Sequence, residues 1–142
     1  RSGQSDSVLT YMLLYNRFKN SCSGTERLSE LSKIGRLYGK LNDFHGALEY
    51  YLRSLEMNKQ ETEQQKVQHD ITILNIAGIY KKLKNYKKAE EYLQIILYNK
   101  KNTVTRIDKI QAYLEMGIVC LERGDTLRAV ESLKKGLKLN EK

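Results

Sequence analysis

Three segments of this chain carry the same frame of small residues in the same phase, and that recurrence constrains the fold more than any other feature. Gly35, Ala77 and Gly117 share one register position, Tyr38, Tyr80 and Cys120 the position three residues on, and Ala47, Ala89 and Ala129 the position twelve residues after the first. Small residues recur where two helices must cross closely, and a larger one three positions later lies on the same helix face. Each segment therefore reads as two antiparallel helices joined by a short turn, over residues 31–55, 73–97 and 113–137. A helix pair of this size cannot cover its own apolar face, so stacked copies must share one core.

The rest of the chain agrees with an all-α class. Proline is absent, which suits long uninterrupted helices. Hydrophobic residues make up 40% and charged residues 30%, and no run approaches the roughly 18 apolar residues that a membrane span needs. Residues 1–7 are small and polar, so ordered structure is expected from Ser5 or Ser7. The dense apolar pattern of Val8 to Phe18 predicts a helix covered on more than one side. SCSG at 21–24 is a turn cluster, and Thr25 with Glu26 reads as the capped start of the next helix, which runs to about Leu41. Its partner begins at Phe44 or His45 and turns Ala47, Leu48, Tyr51, Leu52 and Leu55 inward. The polar stretch from Asn58 to Asp70 reads as a solvated helix end, a turn and the exposed start of another helix.

On these residues the chain resembles the tetratricopeptide repeat, whose helix pair carries small residues at positions 8 and 20, an aromatic at 11 and an aromatic or large apolar residue at 24. Position 24 is Tyr51, Leu93 and Leu133. Two departures stand out: Lys59, Lys101 and Glu141 replace the usual proline at position 32, and the anchors recur after 42 and then 40 residues rather than about 34. Such extended repeats resemble those of kinesin light chains and of bacterial peptide-sensing and signalling regulators. The resemblance implies a right-handed superhelical solenoid of about seven helices, in one segment. Residues 7–19 would be the second helix of a truncated repeat, followed by repeats at 28–61, 70–103 and 110–142. An excerpt of a longer protein is expected, its open ends allowing self-association.

The resemblance also implies a groove lined by the first helix of each repeat. Ser29, Ser32, Lys33, Arg36, Gly39 and Lys40 would line it in the first repeat; Ile71, Leu74, Asn75, Gly78, Lys81 and Lys82 follow in the second. The third supplies Gln111, Leu114, Glu115, Ile118, Leu121 and Glu122. From these, Lys33, Arg36, Lys40, Ile71, Leu74, Asn75, Lys82, Leu114 and Ile118 are the expected partner contacts. Asn75 stands where the family commonly hydrogen-bonds a peptide backbone. The implied function is a non-catalytic scaffold for a peptide or helix of a partner protein with an acidic end and an apolar anchor. The alternative is the sensory segment of a larger bacterial signalling or transcriptional regulator. The chaperone-binding carboxylate clamp of some members is matched only by Asn75, since Ser32, Arg36, Gln111 and Glu115 stand at its other positions.

The formal net charge of +8 concentrates in the second repeat, where Lys81, Lys82, Lys84, Lys87 and Lys88 crowd the inter-helix turn. Without arginine or a stacking platform beyond Tyr86, these read as a solvated rim rather than a nucleic-acid surface. His45 and His69 stand near no nucleophile or carboxylate pair, Cys22 and Cys120 form no metal-ligand spacing, and no enzyme activity, metal or cofactor is expected. Cys120 at a core position reads as a buried thiol and Cys22 as a loop residue. A cytoplasmic protein is the expectation.

Overall fold

The computed structural model describes residues 2–18, 23–99 and 104–141, and among these the chain is all-α, with seven helices in antiparallel pairs. They are α1 (Ser2–Phe18), α2 (Gly24–Lys40), α3 (Phe44–Met57), α4 (Glu63–Lys82), α5 (Tyr86–Leu97), α6 (Arg106–Glu122) and α7 (Thr126–Asn140). Helix packing divides them into two compact units, Arg1–Thr72 and Ile73–Lys142, with α4 contributing to each. Cys22 and Lys101 lie outside the described residues.

One turn geometry, repeated three times, makes each helix pair. α2, α4 and α6 stop at a residue with positive φ: Asn42 (61°), Lys84 (57°) and Gly124 (83°). The next N–H then reaches back to a carbonyl of the last helical turn, from Asp43 to Tyr38 (3.0 Å), Asn85 to Tyr80 (2.9 Å) and Asp125 to Cys120 (2.9 Å). This closes a Schellman motif. The same three residues cap the following helix, their side chains accepting from the N–H groups of Gly46, Lys88 and Arg128. One residue thus ends a helix and starts its partner, which leaves the pair no choice but to pack antiparallel.

In the first unit the core is Leu28, Leu31 and Ile34 of α2 against Ala47, Leu48 and Tyr51 of α3, all buried. Gly35 lets the helices meet: a Cβ there would stand 3.0 Å from the Tyr51 ring and 3.1 Å from the Ala47 carbonyl. Tyr38 stacks on Tyr50 at 5.4 Å between ring centroids, and its hydroxyl donates to Met12 Sδ at 3.1 Å. In the second unit Tyr80 stacks on Tyr92 at 5.6 Å, and Ile76, Ala77, Ala89, Leu93 and Ile96 are buried. Cys120 takes the corresponding place in α6 and is buried, with burial pushing its thiol pKa up.

Several local expectations change. α1 begins at Ser2, because nothing in the polar start breaks a helix and Ser7 Oγ donates back to the Gly3 carbonyl at 2.8 Å. It is not covered on several sides: Val8 is buried, but Leu9, Leu13 and Leu14 are exposed. The start of α2 is capped by Ser23 rather than Thr25, through a reciprocal box in which Ser23 N donates to Glu26 Oε2 at 2.7 Å. On α3, Leu52 points outward, and buried Ser54 takes the inner position. The polar stretch after Met57 is not fully solvated either. Asn58 and Asp70 are buried, and Asn58 Nδ2 ties the turn to the Gln65 carbonyl at 2.7 Å.

Candidate functional site

The residues expected to line a groove lie on α2, α4 and α6 in environments that range from buried to exposed within each unit. On α2, Lys33, Arg36 and Lys40 are exposed at helical spacing along one face. Lys33 Nζ is paired with Glu30 Oε1 at 2.7 Å, which raises the lysine pKa. Glu30 also accepts from the Tyr11 hydroxyl, so α1 is fastened to α2 at the edge of this face. Arg36 lies close enough to Tyr51 for its charge to oppose the burial-driven rise of that phenol's pKa.

Two residues expected to line the groove here do not. Gly39 is buried, and Ser32 is buried in a hydroxyl cluster, 3.3 Å from Ser54 Oγ and 3.3 Å from Thr72 Oγ1. Gln68 Nε2 donates to Ser32 Oγ at 2.9 Å, and Ser54 Oγ donates to the Leu28 carbonyl at 3.1 Å. Every buried oxygen of the cluster is satisfied, so these serines hold α2, α3 and the start of α4 together instead of meeting a ligand. Ile71, which precedes the end of this unit, is exposed.

In the second unit Leu74 and Asn75 are half-buried on α4, and the Asn75 amide makes no hydrogen bond among the described residues. Gly78, one turn further, has open space where a Cβ would project. Lys82 is exposed. On α6, Leu114, Ile118 and Leu121 are 39%, 38% and 50% exposed, at spacings of four and three residues that align them on one face. Glu115 beside them accepts from Lys81 Nζ at 2.6 Å, linking α4 to α6 through a part-buried ion pair. Glu115 also accepts from Gln111 Nε2 at 3.3 Å. This unit thus holds an Asn amide without a hydrogen bond and an open Gly78 on α4 and an apolar strip on α6, and the Lys81 and Glu115 charges that link the two helices neutralise each other.

Sequence reasoning named Lys81 and Glu115 separately and missed their pairing, which links residues 34 apart that the repeat brings side by side. It also missed Tyr50 and Tyr92, although each follows its stacking partner by twelve residues, the interval that separates the small anchors. No group of three or more His, Cys, Asp or Glu side chains that could hold a metal occurs among the described residues, and no described helix is long and apolar enough to cross a membrane.

Comparison with known proteins accounts for this architecture. A tetratricopeptide repeat model matches residues 70–142, and a second matches residues 31–61. The crystal structure of the apo form of RapI superposes with a TM-score of 0.86 at 18% identity, covering 99% of this chain and 39% of that one. The crystal structure of BtubC (BKLC) from P. vanneervenii gives a TM-score of 0.77 at 14% identity, covering 99% of this chain and 57% of that one. The chain thus spans less than two thirds of the length of either. Tetratricopeptide repeats form a non-catalytic scaffold fold that generally mediates protein–protein interaction. With helix pairs, turn geometry and family models in agreement, the chain belongs to the tetratricopeptide-repeat family.

Proposed function

We propose that the outward faces of the first helices receive an extended peptide or a helix of a partner protein, and that Leu74, Asn75, Leu114 and Ile118 make the principal contacts. The observation that carries this reading is the half-buried Asn75 amide, left without a hydrogen bond among the described residues, in a unit whose α6 exposes Leu114 and Ile118. A half-desolvated amide lacking a hydrogen bond gains most from a partner that supplies one, and a peptide backbone offers both a donor and an acceptor. Gly78 adds to the case, because it leaves room for a backbone to approach α4 closely. Apolar side chains of the partner would bury against Leu114 and Ile118. Lys82 adds to these contacts, and in the first unit Lys33, Arg36, Lys40 and Ile71 are proposed contacts in their own right, the lysines and Arg36 favouring an acidic end.

A peptide-display selection against the chain provides the ligand for the test. Asn75→Ala should then weaken the selected peptide about tenfold, the value of one lost hydrogen bond in a desolvated setting. Leu74→Asp should abolish binding, while the far-ultraviolet circular dichroism of both variants stays native. Undiminished affinity in both natively folded variants would sink the assignment.

A further inference from the structure

The turn between α4 and α5 differs from both of its counterparts in this chain at three positions that raise its positive charge. Position 84 is the left-handed residue of the Schellman turn, where Asn42 and Gly124 stand in the other two copies. Those residues tolerate positive φ, whereas lysine is strained there. The N-cap at 85 is asparagine, where the others are Asp43 and Asp125, so the carboxylate is gone while the capping hydrogen bond, to Lys88 N, remains. Position 87 is lysine, where the other turns have His45 and Leu127. A strained residue that carries a cation, together with the absence of the carboxylate found in the other two turns, points to a function rather than to generic solubility.

These residues are not merely consecutive. Leu83, Lys84, Asn85, Tyr86 and Lys87 line an open concavity of about 550 Å³ together with Arg123 from the turn after α6. Lys84 and Lys87 have no acidic partner among the described residues. Arg123 is held in place by Glu90, at 2.5 Å from Oε1, and this carboxylate also pairs with Arg128 at 3.0 Å. Glu90 is buried and does not line the opening. The other nearby acid, Glu122, lies against the Tyr86 phenol, whose pKa is pushed up by desolvation and by that carboxylate.

The geometry points to an anion-binding site here, formed by Lys84, Lys87 and Arg123, that takes the clustered carboxylates of an acidic polypeptide segment. It is separate from the helix faces argued above and does not depend on them. A polypeptide is favoured over nucleic acid because a single aromatic ring, Tyr86, lines the concavity, whereas single-stranded nucleic-acid sites stack successive bases on several.

A backbone-amide NMR titration of the intact chain with end-capped hexaglutamate tests this. Resonances of residues 83–88 and 123 should shift saturably, and hexaglutamine should leave them unmoved. The decisive variant carries Lys84→Asn, Asn85→Asp and Lys87→His, which gives the turn the residues of positions 42, 43 and 45. Because it relieves the strained lysine and keeps a capping side chain, it should melt no lower than the parent, yet lose at least about tenfold in affinity for hexaglutamate. Binding by this variant within about twofold of the parent would overturn the site, as would shifts confined to other regions. Tighter binding of hexathymidylate than of hexaglutamate, at the same turn, would overturn the assigned occupant.

Discussion

Glycine marks several helix interiors in this chain, and what each glycine does depends on its surroundings rather than on its identity. At Gly35 an added methyl group would press on the buried Tyr51 ring and the Ala47 carbonyl, neither of which can move without parting α2 from α3. At Gly78 the same methyl group meets nothing. Gly35→Ala should therefore destabilise the protein by about 1–3 kcal/mol, the usual range for overpacking. Gly78→Ala should stabilise it by roughly 0.5–1 kcal/mol, since alanine improves helix propensity at no steric cost. Urea unfolding followed at 222 nm measures both, and a common sign for the two would refute the distinction. The sequence could separate them only in part. The register identified Gly35 as a crossing point and the resemblance put Gly78 on the groove side, but groove residues Ser32 and Gly39 are buried, so position alone did not say that a methyl group at Gly78 would meet nothing.

At the scale of elements, helix pairs were legible because small, tyrosine and capping residues recur together, whereas helix ends and linkers were not. Ser23 capped α2 two residues before the expected start because Glu26 could reciprocate its hydrogen bond, a pairing that Thr25 lacks. Asn58 and Asp70 looked solvated because polarity alone says nothing about a side chain that bonds a neighbouring carbonyl or packs under the next turn. The attachment of α1 was also hidden, since it rests on Tyr11 and Glu30, nineteen residues apart. Burial disfavours ionised Glu30, but hydrogen bonds from Lys33 and Tyr11 outweigh it and hold its pKa below the ordinary value of 4.5. Burial first, then Glu30, raises the Tyr11 phenol above 10.0. A lowered carboxylate pKa stabilises the fold above the unfolded value and loses that contribution as pH falls through the folded one. A raised phenol pKa stabilises below the unfolded value and loses its contribution as pH rises through the folded one. Amide exchange of α1, referenced to an unstructured peptide, should therefore be slowest between about pH 5 and 9.5 and accelerate on both sides. Both groups are partly exposed, so the effect should stay under about 1 kcal/mol, and Tyr11→Phe should remove the alkaline limb.

For the whole molecule, the phase of the repeat carried the fold and the family, because three in-register copies leave few alternatives. It carried the binding faces less well. Ser32 stands at an expected groove position, yet the hydroxyls of Ser54 and Thr72 draw it inward, and Lys81 is neutralised by Glu115 rather than left to steer a ligand. Net charge, in contrast, belongs to the entire chain and survives such local pairing: +8, with an isoelectric point near 9.4. If an acidic peptide is the partner, this field should accelerate encounter, while the apolar strip of α6 sets how long the complex lasts. Raising ionic strength from about 10 to about 150 mM shortens the Debye length from roughly 30 to 8 Å, so the association rate constant should fall about tenfold while dissociation changes little. Leu114→Asn should do the reverse, speeding dissociation about tenfold by forfeiting roughly 1.5 kcal/mol of apolar burial and leaving the salt dependence of association intact. Stopped-flow measurements with the peptide selected on the chain separate the two constants. An association rate indifferent to salt would mean that the charge of the lysine-rich repeat plays no part in recognition, whatever the helix faces bind.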